Sequence, residues 1–435
     1  MRAERPTTGH TYPQAHPQTC WLPSISGVCL AVLFVVLLPL LTLACMLSPG
    51  DALADGGAPN LVYVAGAGAN GQDLAIVDIA KQRETGYITL GGSPAGVVLS
   101  LDSRFAYVTE QAANQLDIVT AQSRQVSARI PLGKAPTALA IDPSQSSLYI
   151  VESGSNALAI VDTNARRVAT TIPVGGHPTG VAVAAANSGI QNTSDEEVYV
   201  ANSGSKSVSV IGVNERRVLA TIPTPAEPLA VTIPATGGIA YVTTDVGSVL
   251  AISLSAHRLL GTIWQTPGDR LGVMDYDAAT GQVYVPDETT GQVALLTPVA
   301  DPGQGVFAPP TEPARLLPFS GEPAAVAITF EGSYGFVAER GVGQVAIFDA
   351  TTHHVLGVVA VGGAPSALVT GAYPPLLSSQ TTALVDVVVI GVIVLIMIAS
   401  IFSLVRAAAQ QRRKVEEARS RQAHAVSDAG KGAPS

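Results

Sequence analysis

Five positions along this chain combine a chemically useful residue type with a regular spacing. Glu110, Glu152, Asp287 and Glu339 each stand three residues after an aromatic side chain, and Asn202 holds the same place after Tyr199. Acids that recur in register gather into a partial ring on one surface, and clustered carboxylates suit Ca²⁺ or a cationic partner. The same types at a strand end also hydrogen-bond their own loops, which is the commoner use. A second series, Asp78, Asp162 and Asp349, follows an apolar strand in VDI, VDT and FDA. Each marks an Asx turn rather than a reactive carboxylate.

Little else suggests catalysis. His177 lies in GGHP, where sibling segments place Ser, Ala or Glu before the proline, so it reads as a loop variant. His353 and His354 share a polar turn, and no Cys or further His stands at zinc-ligand spacing. No serine elbow, P-loop or Rossmann glycine pattern is present. No cofactor or metal is expected, and the chain does not read as an enzyme.

The elements that must position these residues are short strands. Hydrophobic residues make up 47% of the chain and charged residues only 13%, with 42 Gly and 30 Pro, a balance that suits many strands joined by tight turns. The net charge of −9 hides a division: residues 1–25 carry +1 and 406–435 carry +4, leaving −14 between. An acidic middle should repel nucleic acid and anionic lipid headgroups. Cys20, Cys29 and Cys45 all precede the repeats, so no disulfide staples them.

Two apolar segments flank that middle. Residues 387–405 contain fourteen Val, Ile, Leu or Phe, favouring membrane insertion by roughly 4–8 kcal/mol. Asp386 sits at the edge, where its cost is small, so 384–405 is expected to be a transmembrane helix. The basic RAAAQQRRK that follows places the 406–435 tail in the cytoplasm and the preceding domain outside. Residues 27–54, behind a cytoplasmic 1–26, read as a signal peptide cleaved near Ala52-Leu53-Ala54 or as a signal anchor.

Between them one pattern recurs around Tyr63, Tyr107, Tyr149, Tyr199, Tyr241, Tyr284 and Phe336, a period of roughly 42–52 residues. The clearest copies are SLYIVESGSNALAIVDTNARRVATTIPVGGHP and EVYVANSGSKSVSVIGVNERRVLATIPTPAEP. Four short strands per period are the signature of a propeller blade, and the alternation excludes helix-pair solenoids. The motif resembles the YVTN-type β-propeller repeat over about residues 59–371, with YVAN, SVSVI and ATIP around Tyr199 the nearest copy. The resemblance implies a bacterial or archaeal surface or periplasmic protein, and says little about activity. On such a propeller His177 could be an axial ligand to a haem-like cofactor, a role the loop itself does not suggest.

The fold expected is therefore all-β: a seven-bladed β-propeller over 55–371, a linker at 372–383, and the membrane helix. Inner strands fall near 95–99, 137–141, 179–183, 229–233, 271–275, 324–328 and 366–370. The last has no blade after it, so SALVT should complete blade one and remove an open edge. Both chain ends then leave from one face, here called lower, within roughly 45 Å of the membrane helix. Two insertions, 184–197 in blade four and 297–316 in blade six, fall on that face and are candidates for contact with a neighbouring membrane protein. The acids stand on the opposite, upper face. Asn192-Thr193-Ser194 fits a glycosylation sequon. The function expected is a membrane-anchored, extracytoplasmic binding or scaffolding module whose partners are the membrane and envelope or surface proteins. The alternatives are a lactonase-like or cofactor-dependent oxidoreductase propeller, and a structural surface-layer or adhesive component.

Overall fold

The computed structural model describes residues 61–371, except 101, 143–145, 185–195, 236–237, 304, 310–312 and 314, together with 400 and 403–421. Its strands form seven four-stranded antiparallel sheets. Blade one comprises Leu61–Ala67, Asp73–Asp78 and Arg83–Thr89, with Ala367–Thr370 as its inner strand. Blades two to seven follow in chain order: Pro94–Pro131, Pro136–Pro173, Pro178–Pro223, Pro228–Gln265, Asp275–Pro318 and Pro323–Ala360. The seam is zipped as expected, with Tyr63 opposite Val369 and Val64 opposite Leu368.

Burial explains why the two middle strands of each blade read as apolar runs. Second strands such as EVYVAN and IAYVTT are buried on both faces, because a neighbouring blade covers each side. Outer strands alternate instead: QVSARIP and RVATTIP lift every second residue into solvent. All seven aromatic anchors are buried. In blades one to five and seven a bulge sits between the third and outer strands, one residue after the partner of the anchor, as at Ile118/Val119 and Val210/Ile211. It increases the local twist just before the lower-face turn.

Blade six departs from the expected pattern. Only Asp275–Tyr276 form its regular inner strand, and the preceding residues turn toward blade seven. Val273 makes a parallel bridge with Ala325: its N–H donates to Ala324 (2.9 Å), and the Val326 N–H donates back to it (3.1 Å). Gly272 permits this approach, since a Cβ there would strike the Ala324 carbonyl.

The expected segments 1–26 and 27–54, the sequon, and nearly all of the 184–197 insertion and of the 372–405 linker and span lie outside the described residues. Residues 403–421 form an exposed helix, and among the described residues no helix is long and apolar enough to cross a membrane. The blade-six insertion is pinned where it is described. Asp301 accepts from Ser253 Oγ (2.5 Å) and Ser255 Oγ (2.8 Å), and Tyr241 Oη accepts the Val299 N–H (3.0 Å).

Candidate functional site

The five repeating tip residues are not a solvated ring. Glu110, Glu152, Asn202, Asp287 and Glu339 are at most 4% exposed, which corrects the expectation of acids displayed on the upper surface. The blades cover both sides of the second strand up to its last residue, so these side chains fold inward. The Gly133 N–H donates to Glu152 Oε1 at 2.7 Å. Glu339 accepts from Ser320 Oγ at 2.9 Å, and Asp287 Oδ1 accepts the Thr289 and Thr290 N–H groups at 3.0 and 3.1 Å. Asn202 Nδ2 donates to Ser209 Oγ at 3.0 Å.

Four of the five press against the loop that enters their own blade. A Cβ on Gly92, Gly133, Gly175 or Gly321 would collide with Glu110, Glu152, Asn202 or Glu339 respectively. The glycines before each proline are thus the mates of the tip residues, and the pair clasps the loop to the strand. Among the described residues no group of three or more His, Cys, Asp or Glu could hold a metal ion.

Blade two adds a second buried acid. Asp117 stands on the strand next to Glu110, at a register position that holds Ala75, Ala159, Ser209, Ala294 and Ala346 in other blades. It accepts from Gln115 Nε2 (2.7 Å) and more weakly from Arg129 Nε (3.4 Å). The Glu110 carboxylate lies beside the Gly92 amide without closing a normal hydrogen bond. Burial, reinforced by the charge of Asp117, pushes Glu110 up to about 7, with Arg129 opposing. Burial also raises Asp117.

Asp78, Asp162 and Asp349 cap turns as expected. Asp162 Oδ1 accepts the Asn164 and Ala165 N–H groups (2.9 and 2.8 Å), and Asp349 Oδ1 those of Thr351 and Thr352 (2.9 and 2.6 Å). The Lys81 N–H donates to Asp78 Oδ1 (2.9 Å). The Thr352 amide in particular holds the Asp349 carboxyl below its ordinary range. His177 Nδ1 pairs with Ser203 Oγ (3.0 Å), which ties its loop to the turn between the second and third strands of the same blade. His354 is exposed in its turn. His353 lies 3.4 Å from Tyr284 Oη and 3.1 Å from an Arg315 nitrogen, and burial followed by the Arg315 charge lowers it.

Three further constellations had no signal in residue spacing, because each joins different blades or different ends of one. Glu197, buried on blade four, accepts from Tyr199 Oη (2.9 Å) and faces His257 Nε2 of blade five (3.0 Å). That hydrogen bond outweighs partial burial and raises His257. On the upper face, Glu288 lies between Arg270 and Arg340, the latter 3.1 Å away, and so links blades six and seven. Asp275 is the one carboxylate on the inner strands. Its Oδ2 accepts the Ile328 N–H of blade seven (2.8 Å), and burial pushes it up to about 6. Its charge, at the register position that holds Val98, Ala140, Ala182 and Ala327 in other blades, was the sequence feature that could have flagged it.

At the centre, the inner strands of the blades enclose a cavity of about 220 Å³. Its wall is small and apolar, as at Ala95, Gly96, Ala138, Gly180, Ala230 and Leu368, with Thr137 and Thr179 the polar members.

No family model and no curated protein matches the chain in sequence, so the resemblance to the YVTN repeat rests on its motifs. Solved structures do match. A functionally unknown protein from Desulfotomaculum acetoxidans is 15% identical, with TM-score 0.60, covering 72% of this chain and 100% of that one. A periplasmic gluconolactonase of Pseudomonas aeruginosa is 18% identical, with TM-score 0.57 over 72% and 99% of the two chains. A putative 6-phosphogluconolactonase from Bacteroides uniformis is 14% identical, with TM-score 0.55 over 72% and 99%. At such identities the likeness shows the fold, that of a seven-bladed propeller with neighbours among the lactonases.

Proposed function

We propose that this chain is a membrane-tethered, extracytoplasmic propeller that binds or scaffolds envelope partners through its loop faces. The observation that carries this reading is the central cavity, whose wall is backbone, alanine, glycine and aliphatic carbon apart from the hydroxyls of Thr137 and Thr179. An enzyme of this architecture needs convergent polar groups in a concave site. The tether rests on the apolar run 387–405 and the basic residues after it.

The comparisons favour a second reading over the scaffold: an extracytoplasmic propeller enzyme of lactonase type, since two of the similar structures bear lactonase names. Its residues would be Asp275, whose raised carboxyl suits a general base near neutral pH, and the Arg270–Glu288–Arg340 cluster. These do not converge. Among the described residues no contact joins Arg270, Glu288 or Arg340 to Asp275, and Asp275 already accepts a backbone hydrogen bond.

The two readings separate in one assay. The full chain in detergent is incubated with gluconolactone, alongside Asp275→Asn and an Ala230→Phe variant that fills the cavity. The scaffold reading expects lactone opening at the spontaneous rate in all three. Turnover by the parent that both variants abolish would overturn it in favour of the enzyme.

A further inference from the structure

The lower face as a whole is not basic, since its inner-to-second loops carry Asp102, Asp142, Glu196, Asp277 and Glu331, but its outer rim is basic over four successive blades. On the lower face, the turns between third and outer strands of blades two to five present Arg124, Arg166, Arg167, Arg216, Arg217 and Arg258, all exposed. None of these six forms an ion pair with a described residue. The same turns hold two acids, Asp162, committed to the Asn164 and Ala165 amides, and Glu215.

The backbone makes the placement more telling. Arg124, Arg166 and Arg216 sit at φ of 54°, 51° and 52°. Glycine or asparagine fits that left-handed conformation best, yet three successive blades place an arginine there. Local contacts hold two of them: Arg124 donates to the Thr85 carbonyl (2.8 Å), and Arg166 lies over the Phe105 ring at 5.7 Å.

A second observation lies on the other arc of the same face. Val306, in the blade-six insertion, is 90% exposed, and Phe330, in the inner-to-second loop of blade seven, is 76% exposed, more than any other large apolar residue described. The third is topological. The inner strand ending at Thr370 and the second strand beginning at Leu61 both have those ends on this face, and the apolar runs near 27–46 and 387–405 lie beyond them in sequence.

We propose that the lower face of the propeller rests on an anionic bilayer, its arginine arc against headgroup phosphates and Phe330 and Val306 dipping into the interface. This deepens the tethered reading and rests on it. Guanidinium groups pair bidentately with phosphate oxygens, apolar side chains settle at the headgroup boundary, and a tether raises the local concentration of a surface too weak to bind alone.

The test uses the full chain mixed from detergent into vesicles of phosphatidylcholine alone or an equal mixture with phosphatidylglycerol, followed by flotation and amide hydrogen exchange. The expected result is flotation with both. Protection should appear at turns 163–167 and 213–217 only on the anionic vesicles, with at least tenfold slower exchange. High salt, or Arg166→Glu with Arg167→Glu, Arg216→Glu and Arg217→Glu, should remove that protection. A parent that floats with both vesicles yet exchanges equally at these turns would overturn the lipid contact and leave the tether standing. Salt-sensitive flotation with anionic vesicles alone would support the contact and overturn the tether. Failure to float with either overturns both. Phe330→Trp supplies an independent reading: its emission should shift to the blue on anionic vesicles, and an unshifted emission counts against the contact.

Discussion

Glu110 shows how a repeated position acquires an individual property. Its siblings Glu152 and Glu339 find donors in the loop they clasp, whereas Glu110 faces Asp117 across the same blade and rises to about 7. The folded chain therefore binds this proton more tightly than the unfolded chain does, where the ordinary value is 4.5. The stabilising contribution is complete below the unfolded value and is lost as pH rises through the folded one. Above pH 7, burying the ionised carboxylate costs on the order of 3 kcal/mol. Glu110→Gln, which keeps the shape and removes the charge, should therefore melt higher than the parent at pH 8 and converge with it near pH 4. Parallel melting profiles across that range would show that Glu110 does not titrate in the folded state. Asp117→Ala should lower the Glu110 midpoint and move the crossover to lower pH, since it removes the second cause of the shift.

At the scale of the element, the clasp between tip residue and entering loop recurs, and it explains which features were legible in the sequence. The GG-x-P loops and the residue three after each anchor both stood out as repeats. That they touch did not. A period of two assigns the tip to one side of its strand, but it does not reveal that the neighbouring blade reaches far enough to bury it. The ring was consequently expected in solvent. Blade six was misjudged for a related reason: Gly272 and Val273 fit the strand pattern, and the parallel bridge to Ala325 is a contact between blades that no local pattern encodes. The clasp itself can be measured. Gly133→Ala forces a methyl into the Glu152 carboxylate and should cost about 1–3 kcal/mol, as overpacking does. Glu152→Ala leaves the Gly133 amide without its partner and should cost about 1–3 kcal/mol by desolvation. In the double variant the methyl occupies space the carboxylate has vacated, so the two losses should fall short of additivity by about 1 kcal/mol. Strict additivity in urea melts would mean that loop and tip are not coupled.

The whole molecule depends on a feature that sequence reasoning could see, because counting alone required it: seven second strands and seven inner strands, the last of which has no blade after it. Closure joins residues some three hundred positions apart, and it explains how a ring without disulfides holds together. Hydrophobic clusters continue across every seam, including the one where Val62, Val64 and Leu368 meet Phe336 and Ile347 of blade seven. Every blade therefore has two neighbours, and no long second strand is left with a free edge. A chain ending after Ala364 would expose the hydrogen-bonding edge of Leu61–Ala67 and uncover that cluster. The loss of one buried leucine contact and several backbone pairings amounts to on the order of 5 kcal/mol or more, comparable to the net stability of many domains. Such a chain should lose its single cooperative melt and associate through the bared edge. A chain ending after Gly371 keeps the zip and should retain a single cooperative melt. Leu368→Ala, with the backbone pairing intact, should fall between them, about 2 kcal/mol below the parent. If the chain ending after Ala364 melted as cooperatively and as high as the chain ending after Gly371, the last strand would not be what closes the ring.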